Sequence, residues 1–216
     1  MNISLFGMVH FLNKYRNQVF HLCRFKADVF LNKSMENRCS NNIVWFDGEM
    51  TGLDADKHTL IEAAVIVTDG QLNILAEGPN IIIKHPDEVL DNMEEWPKNH
   101  HAMSGLTESC KKSKITLEQA DQILYDFIDP FTIKGKCALA GNSIYMDRIF
   151  IRKYLPKFEN QLSYRLIDVS TLKELLKRWD PKFIDMAPKK TMKHRALDDI
   201  RESLNELSFY KKYLKL

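Results

Sequence analysis

The sequence lacks any uninterrupted apolar run approaching the roughly 20 residues that a membrane-spanning helix needs. No membrane partner is therefore expected. Cysteine is also scarce. The four cysteines are Cys23, Cys39, Cys110 and Cys137. Because no two of them have the spacing of a metal site or a redox motif, we expect ordinary reduced thiols in a reducing compartment.

Acidic residues are missing from the start of the chain, where none occurs before Asp28. Over the same stretch basic residues alternate with apolar ones, which is typical of an organelle transit peptide. Residues 1–40 are therefore predicted to be a mitochondrial transit peptide. A disordered basic tail and a helix that packs on the body remain alternatives. A product starting at Met35 would lack this leader and stay in the cytosol or nucleus, which is a hypothesis.

A strong net charge is also absent, since the 216 residues carry +2 overall. Residues 1–41 hold six Lys or Arg and two acids, which leaves 25 basic and 27 acidic residues in the rest of the chain. A slightly acidic body argues against a long electrostatic track for polymeric nucleic acid, which needs many phosphate contacts. A very short substrate needs only a few such contacts.

The most informative stretch is residues 43–54, where an apolar run ends in two carboxylates and then breaks at Thr-Gly. Side chains alternate between the faces of a strand, so Asp47 and Glu49 are predicted to point the same way. Neighbouring carboxylates repel unless a cation lies between them, and Mg²⁺ prefers carboxylate oxygens. The pattern favours a metal site at a strand end, and an exposed acidic turn is the alternative.

The order of the predicted elements indicates an α/β architecture with a mixed sheet. Strands over 43–49 and 60–68 begin a three-stranded meander, with Asp69-Gly70 as a hairpin signal. Helices are predicted over 144–154 and 196–214, and a loop rich in Pro and Lys is predicted over 180–193. The sequence Thr116-Leu117-Glu118-Gln119 fits a capping box and predicts the start of a further helix. A strand over 162–169 is followed by a helix that Ser170 is expected to cap.

Two later segments supply further chemistry, since residues 141–147 end in Asp147 and residues 194–199 join His194 to Asp199. The sequence motifs around these residues are Trp-x-Asp-x-Glu-Met-Thr-Gly-Leu-Asp, Gly-Asn-Ser-Ile-x-x-Asp-Arg, Tyr-Arg-Leu-Ile-Asp-Val-Ser-Thr-Leu-Lys-Glu-Leu and Ala-Leu-Asp-Asp-Ile-Arg-Glu-Ser. From about Asn42 to the C-terminus, the chain resembles the oligoribonuclease family of DEDDh 3′–5′ exonucleases. The resemblance implies a ribonuclease-H-like fold, with a mixed sheet flanked by helices, over residues 41–216.

The resemblance also implies the roles of the catalytic residues. Asp47, Glu49, Asp147 and Asp199 would hold two divalent ions, Mg²⁺ or Mn²⁺, and His194 would take the proton from the attacking water. Two metals about 3.5–4 Å apart can activate water and stabilise the leaving oxygen, and an imidazole titrates near neutral pH. Asp198 is a rival to Asp199, but their positions differ by about 100° around a helix. The family spacing selects Asp199.

Substrate-binding residues follow by the same resemblance. Leu53 and Trp96 would hold the two bases of a short substrate, while His101, Ser143, Arg165 and Ser170 would cap its 5′ phosphate. Such a cap would block longer RNA and explain a preference for dinucleotides. Tyr164 would reach a neighbouring subunit, which implies a homodimer. Simpler roles remain open: core burial for Trp96, cross-strand pairing for Tyr164 and Arg165, and helix capping for Ser170 or His194.

One departure from the family pattern is Gly48, where relatives usually have a larger apolar residue. Its side chain would point away from the acids, so glycine is expected either to lower stability or to be compensated locally. On the first alternative, Gly48→Leu would raise the melting midpoint. Two further functions remain open, namely an exonuclease of the same class that acts on longer RNA or DNA and an inactive RNA-binding relative.

Overall fold

The structure, a computed structural model, describes residues 38–188 and 195–215. Nearly all of the predicted leader lies outside these residues, and so do Met35 and the predicted base His194. The described cysteines Cys39, Cys110 and Cys137 are free thiols. None of the described helices combines the length and hydrophobicity that crossing a bilayer requires.

The described residues form a mixed five-stranded sheet with the order β3-β2-β1-β4-β5. The strands are β1 Ile43–Met50, β2 Leu60–Thr68, β3 Ile74–Ile82, β4 Ala138–Gly141 and β5 Leu166–Asp168. The pairs β1–β2 and β2–β3 are antiparallel, whereas β1–β4 and β4–β5 are parallel. The predicted α/β architecture with an initial meander is confirmed.

Helices cover both faces of the sheet. They are α1 Asp87–Asp91, α2 Glu95–Met103, α3 Leu106–Lys112, α4 Leu117–Ile128, α5 Ile144–Tyr154, α6 Pro156–Gln161, α7 Val169–Trp179, α8 Pro181–Ile184 and α9 Ala196–Tyr213, with a 3-10 turn at Asp129–Phe131. A capping box fixes the start of α4, since Thr116 Oγ1 accepts from the Gln119 N–H and Gln119 Oε1 accepts from the Thr116 N–H.

Alternation along β1 decides which face carries the site. Val44 and Phe46 belong to the hydrophobic cluster that contains side chains of α4, α5 and α6. Ile43 and Trp45 belong to the cluster that contains side chains of α7 and α9. Because the period of a strand is two, the next odd-numbered residues of β1 turn toward the α9 side. This is where the predicted acids Asp47 and Glu49 lie.

Three sequence-based predictions were wrong in detail. The strand predicted over 162–169 is confined to Leu166–Asp168, because the backbone of residues 162 and 163 bonds to Glu159 and Cys137 instead. The loop predicted after residue 180 contains α8. The cap of α7 is Asp168 rather than Ser170, since Asp168 Oδ1 accepts from the Ser170 N–H at 2.9 Å.

Candidate active site

Three acidic side chains converge where β1 meets α9. Asp47, Glu49 and Asp199 each offer an oxygen, and these oxygens all lie within 4.8 Å of one another. Ala196 and Ile200 are buried against the sheet, so α9 holds Asp199 over the face of β1 that carries the other two acids. The long-range approach of strand and helix therefore builds the predicted cluster.

Asp198, the rival position, points elsewhere. Its carboxylate accepts a hydrogen bond from Arg201 at 2.9 Å on the exposed side of α9. Successive helical residues differ by about 100° in direction, so Asp198 and Asp199 cannot face one site together. The structure thus places Asp199 with the strand acids, as the family spacing predicts.

The fourth predicted ligand, Asp147, lies on α5. Its Oδ1 accepts a hydrogen bond of 3.1 Å from the backbone N–H of Gly48, the residue between the two strand acids. Asp147 is buried, and burial raises the pKa of its carboxyl group. Asp147 therefore lies beside the three convergent acids, bonded to the backbone between Asp47 and Glu49.

The electrostatics of the cluster favour a bound cation. Burial raises the pKa of Glu49 from 4.5 to about 8, and the charges of Glu62, Asp199 and Asp147 act in the same direction. Arg195 partly opposes them. Carboxylates packed this closely without enough positive charge are costly to ionise, whereas divalent ions coordinated by oxygen remove that cost. The donor set fits Mg²⁺ or Mn²⁺.

The space beside Gly48 is already filled. A Cβ atom at this position would lie 2.7 Å from Leu60 Cδ1 and 3.1 Å from Phe46 Cε1, and both side chains are buried in the core. The structure thus favours local compensation by neighbouring side chains over a cavity.

Replacing Gly48 with leucine is expected to lower the melting midpoint rather than raise it. Overpacking a filled core costs about 1–3 kcal/mol. Thermal melts of the parent, Gly48→Ala and Gly48→Leu would test this, with a graded fall from alanine to leucine as the expected result. A higher midpoint for Gly48→Leu would show that the site has room.

A buried acid beside the site was missed by the sequence analysis. Glu62 lies opposite Glu49 in the β1–β2 register and is fully buried. Its Oε1 accepts from Arg195 Nε at 3.1 Å, from Arg195 Nη2 at 2.9 Å and from Asn80 Nδ2 at 2.8 Å. The available signal was a single glutamate within residues 60–67 of β2, which are otherwise apolar. Arg195 immediately precedes α9 and directly follows His194, which lies outside the described residues.

The two residues predicted to hold bases are exposed. Leu53 is 64% exposed and Trp96 is 63% exposed, which excludes core burial for Trp96. The Trp96 ring stacks on His100 with centroids 4.9 Å apart and planes 5° apart. His101 is buried instead, donates from Nε2 to the Met50 carbonyl at 3.0 Å and places Nδ1 4.0 Å from Glu49 Oε2.

Two of the predicted phosphate-cap residues lie together. Ser143 Oγ is 3.2 Å from Ser170 Oγ, and the Ser143 N–H donates both to that oxygen and to Asp168 Oδ1 at 2.9 Å. Ser170 Oγ donates to Asn142 Oδ1 at 3.0 Å. The network links the end of β4 to the start of α7.

Arg165 and Tyr164 lie away from that network. Both precede β5, whereas Asp168 ends it, so they stand at the opposite end of the strand from Ser143. Arg165 lines a cavity of about 490 Å³ together with Lys136. Tyr164 is 76% exposed, and the guanidinium carbon of Arg165 is 5.5 Å from its ring centre. Neither residue is a cross-strand partner, and neither contacts the serine pair of its own chain.

Comparison with solved structures confirms the fold. Exonuclease I from Methylocaldum szegediense has a TM-score of 0.61 at 17% identity, over 79% of this chain and 40% of that one. The complex of exonuclease I from E. coli with single-stranded DNA has a TM-score of 0.62 at 14% identity, over 81% and 41%. This chain thus spans about two fifths of those proteins, and it shares their ribonuclease-H-like fold.

Sequence comparison is more specific. The family described as Exonuclease matches residues 44–207. The human protein named mitochondrial oligoribonuclease is 55% identical over 172 residues, which cover 80% of this chain and 73% of that one. A probable oligoribonuclease of Drosophila melanogaster is 49% identical over 182 residues, covering 83% and 86%, and an oligoribonuclease of Colwellia psychrerythraea is 47% identical over 171 residues, covering 79% and 94%. With a family match over most of its length and relatives about half identical to it, the chain belongs to the oligoribonuclease family of exonucleases.

Proposed function

We propose that this chain is a 3′–5′ exoribonuclease that hydrolyses very short RNA, above all dinucleotides, to 5′-mononucleotides. The observation that carries the proposal is the convergence of Asp47, Glu49 and Asp199 within 4.8 Å, with Asp147 bonded to the backbone between the first two. Membership of the oligoribonuclease family supports the substrate class.

The four carboxylates would hold two divalent ions, Mg²⁺ or Mn²⁺. When bound, such ions supply charge stabilisation and lower the pKa of coordinated water. His194 is proposed as the general base that receives the proton of that water. Membership of the oligoribonuclease family supports this role.

Two exposed apolar residues would bind the bases of the substrate. Bases stack on flat or apolar side chains at about 1–3 kcal/mol per base without regard to sequence, which suits Leu53 and Trp96. Ser143 and Ser170 would receive the 5′ phosphate, with His101 at the side of Glu49. A binding site that is closed beyond the 5′ phosphate of the substrate would favour dinucleotides over long RNA.

A homodimer with shared sites is part of the proposal. Arg165 is suited to bind phosphate by its charge and fork geometry, yet it lies at the far end of β5 from the serine pair of its own chain. Together with the exposed Tyr164, it would reach the site of a second copy.

A mitochondrial location is proposed from the basic, acid-free leader and from relatives named as mitochondrial. A second product starting at Met35 would stay in the cytosol or nucleus. The N-termini of the protein purified from mitochondria and from cytosol would test this, and one uncleaved form in every compartment would contradict it.

The activity is tested with 5′-labelled RNAs of two to about twenty nucleotides in Mg²⁺. We expect the dinucleotide to be cut fastest and Asp199→Asn to be inactive. Asp198→Asn is the matched control, because its exposed carboxylate pairs with Arg201 outside the cluster, and it should retain full activity. Rapid degradation of the long RNAs would indicate a longer-substrate exonuclease, and binding without cleavage would indicate an inactive RNA-binding relative.

A further inference from the structure

The two exposed residues proposed to hold bases stand on different elements. Leu53 lies in the segment 51–59 between β1 and β2, and Trp96 lies in the first turn of α2. With 64% and 63% of their surfaces exposed, neither is held in place by burial in the core. If Leu53 and Trp96 are to bind a pair of bases between them, other contacts must fix the distance between segment 51–59 and α2.

A polar bridge makes this connection. Glu94 precedes α2 and donates its N–H to the Thr51 carbonyl at 3.2 Å. His58 Nε2 lies 3.0 Å from Glu94 Oε1, and His58 Nδ1 lies 3.3 Å from Thr51 Oγ1. The same Thr51 hydroxyl accepts from the Thr59 N–H at 3.0 Å. We call these residues, Thr51, His58 and Glu94, the clamp bridge.

The imidazole at the centre of the clamp bridge is held from several sides. Its side chain is only 11% exposed. A Cβ atom on Gly52 would lie 2.6 Å from the ring, so the absence of a side chain at Gly52 lets the ring pack against the backbone. Tyr154 of α5 donates its hydroxyl to the His58 carbonyl at 2.6 Å. The segment that carries Leu53 is thereby anchored to α5 on one side and to Glu94 on the other.

We propose that His58 and Glu94 are positioning residues that set the spacing between Leu53 and Trp96, and thereby the affinity for the bases of a dinucleotide. The inference rests on the proposed function, because it explains how the two residues proposed to bind the bases are held in position. Both residues act through Leu53 and Trp96 and not on the reacting phosphate. Their loss should therefore change KM and leave kcat nearly unchanged.

The test compares His58→Ala and Glu94→Ala with the parent on a 5′-phosphorylated RNA dinucleotide. We expect KM to rise about 5- to 20-fold, since stacking of one base is weakened, with kcat within about twofold of the parent. Glu94→Gln keeps an oxygen for His58 and should restore most of the affinity. Glu95→Ala removes the neighbouring exposed acid of the same turn and should leave KM unchanged.

Hydrogen–deuterium exchange provides a readout without substrate. Peptides covering residues 51–59 should exchange faster in His58→Ala and Glu94→Ala but not in Glu95→Ala. Unchanged exchange, or faster exchange with an unchanged KM, overturns the inference while the parent still cleaves dinucleotides. If the parent cleaves no dinucleotide, the proposed function is wrong and the spacing role fails with it. A uniform fall in kcat with unchanged KM would also overturn it.

Discussion

Replacing Glu49 with glutamine is expected to lower kcat by at least about 100-fold and to stabilise the metal-free protein at pH 8. The loss of activity follows from removing a proposed metal ligand. Even mutation of residues that only hydrogen-bond to metal ligands typically lowers metal affinity or activity by about 10–100-fold. The gain in stability follows from the environment of the carboxylate, which is buried among other acids.

The direction of the pH effect comes from the raised pKa. The pKa of Glu49 is about 8 in the folded chain against 4.5 ordinarily, so between these values the folded state binds more protons than the unfolded state. The free energy of unfolding of the metal-free parent must therefore fall as pH rises from about 4.5 to 8. A neutral glutamine removes this pH-dependent loss of stability. The variant should therefore exceed the parent in free energy of unfolding most at pH 8, and the difference should vanish near pH 4.

Thermal melts in EDTA and in Mg²⁺, at several pH values, measure these effects. Mg²⁺ should raise the midpoint of the parent more at pH 8 than at pH 5, and raise that of Glu49→Gln much less. Glu88→Gln, an exposed glutamate on α1, is the control and should behave as the parent. Equal stabilisation of parent and Glu49→Gln by Mg²⁺ would contradict a metal site at Glu49.

Replacing Arg195 with methionine is expected to lower the free energy of unfolding by about 3 kcal/mol. Removing one partner of a buried ion pair costs about 3–5 kcal/mol because the other charge is left buried. The lower end applies because the Arg195 side chain is 35% exposed while Glu62 is 0% exposed. For a chain of this size the change corresponds to a fall in midpoint of about 6–12 °C.

Urea unfolding in EDTA isolates this effect from metal binding. Arg201→Met is the matched control on the same helix, because Arg201 pairs with Glu77 and Asp198 at the surface, and it should cost at most about 1 kcal/mol. The double variant Glu62→Gln/Arg195→Met should recover part of the loss, since a neutral amide needs no counter-charge. Equal losses for Arg195→Met and Arg201→Met would show that the pair contributes no more than a surface contact.

Much of the fold follows from local patterns. The apolar run at residues 63–67 predicts a buried strand, whose predicted bounds 60–68 match β2, and the capping box at Thr116–Gln119 predicts the start of α4. The prediction fails over residues 162–169, where a strand of eight residues was expected but pairing with β4 extends over only three residues. Pairing partners are distant in sequence, so the length of such a strand is not encoded locally.

The candidate site, too, could be predicted only in part from the sequence. Period-two alternation brings Asp47 and Glu49 to one face, and the family motifs identify Asp147 and Asp199. The position of Glu62 within an apolar run is visible, but its partner Arg195 is 133 residues away and only the packing of α9 on the sheet reveals it. Likewise, no sequence pattern links His58 to Glu94, which meet because segment 51–59 folds against α2.

The sequence by itself determined which residues are the candidates for the chemistry, because strand periodicity and motif spacing are local properties of the chain. The tertiary structure alone decided which groups share an environment. It raised the pKa of Glu49 by burying it among acids, filled the space beside Gly48 with Leu60, and separated Arg165 from the serine pair of its own chain. Burial and distance between remote segments exist only once the helices have packed on the sheet.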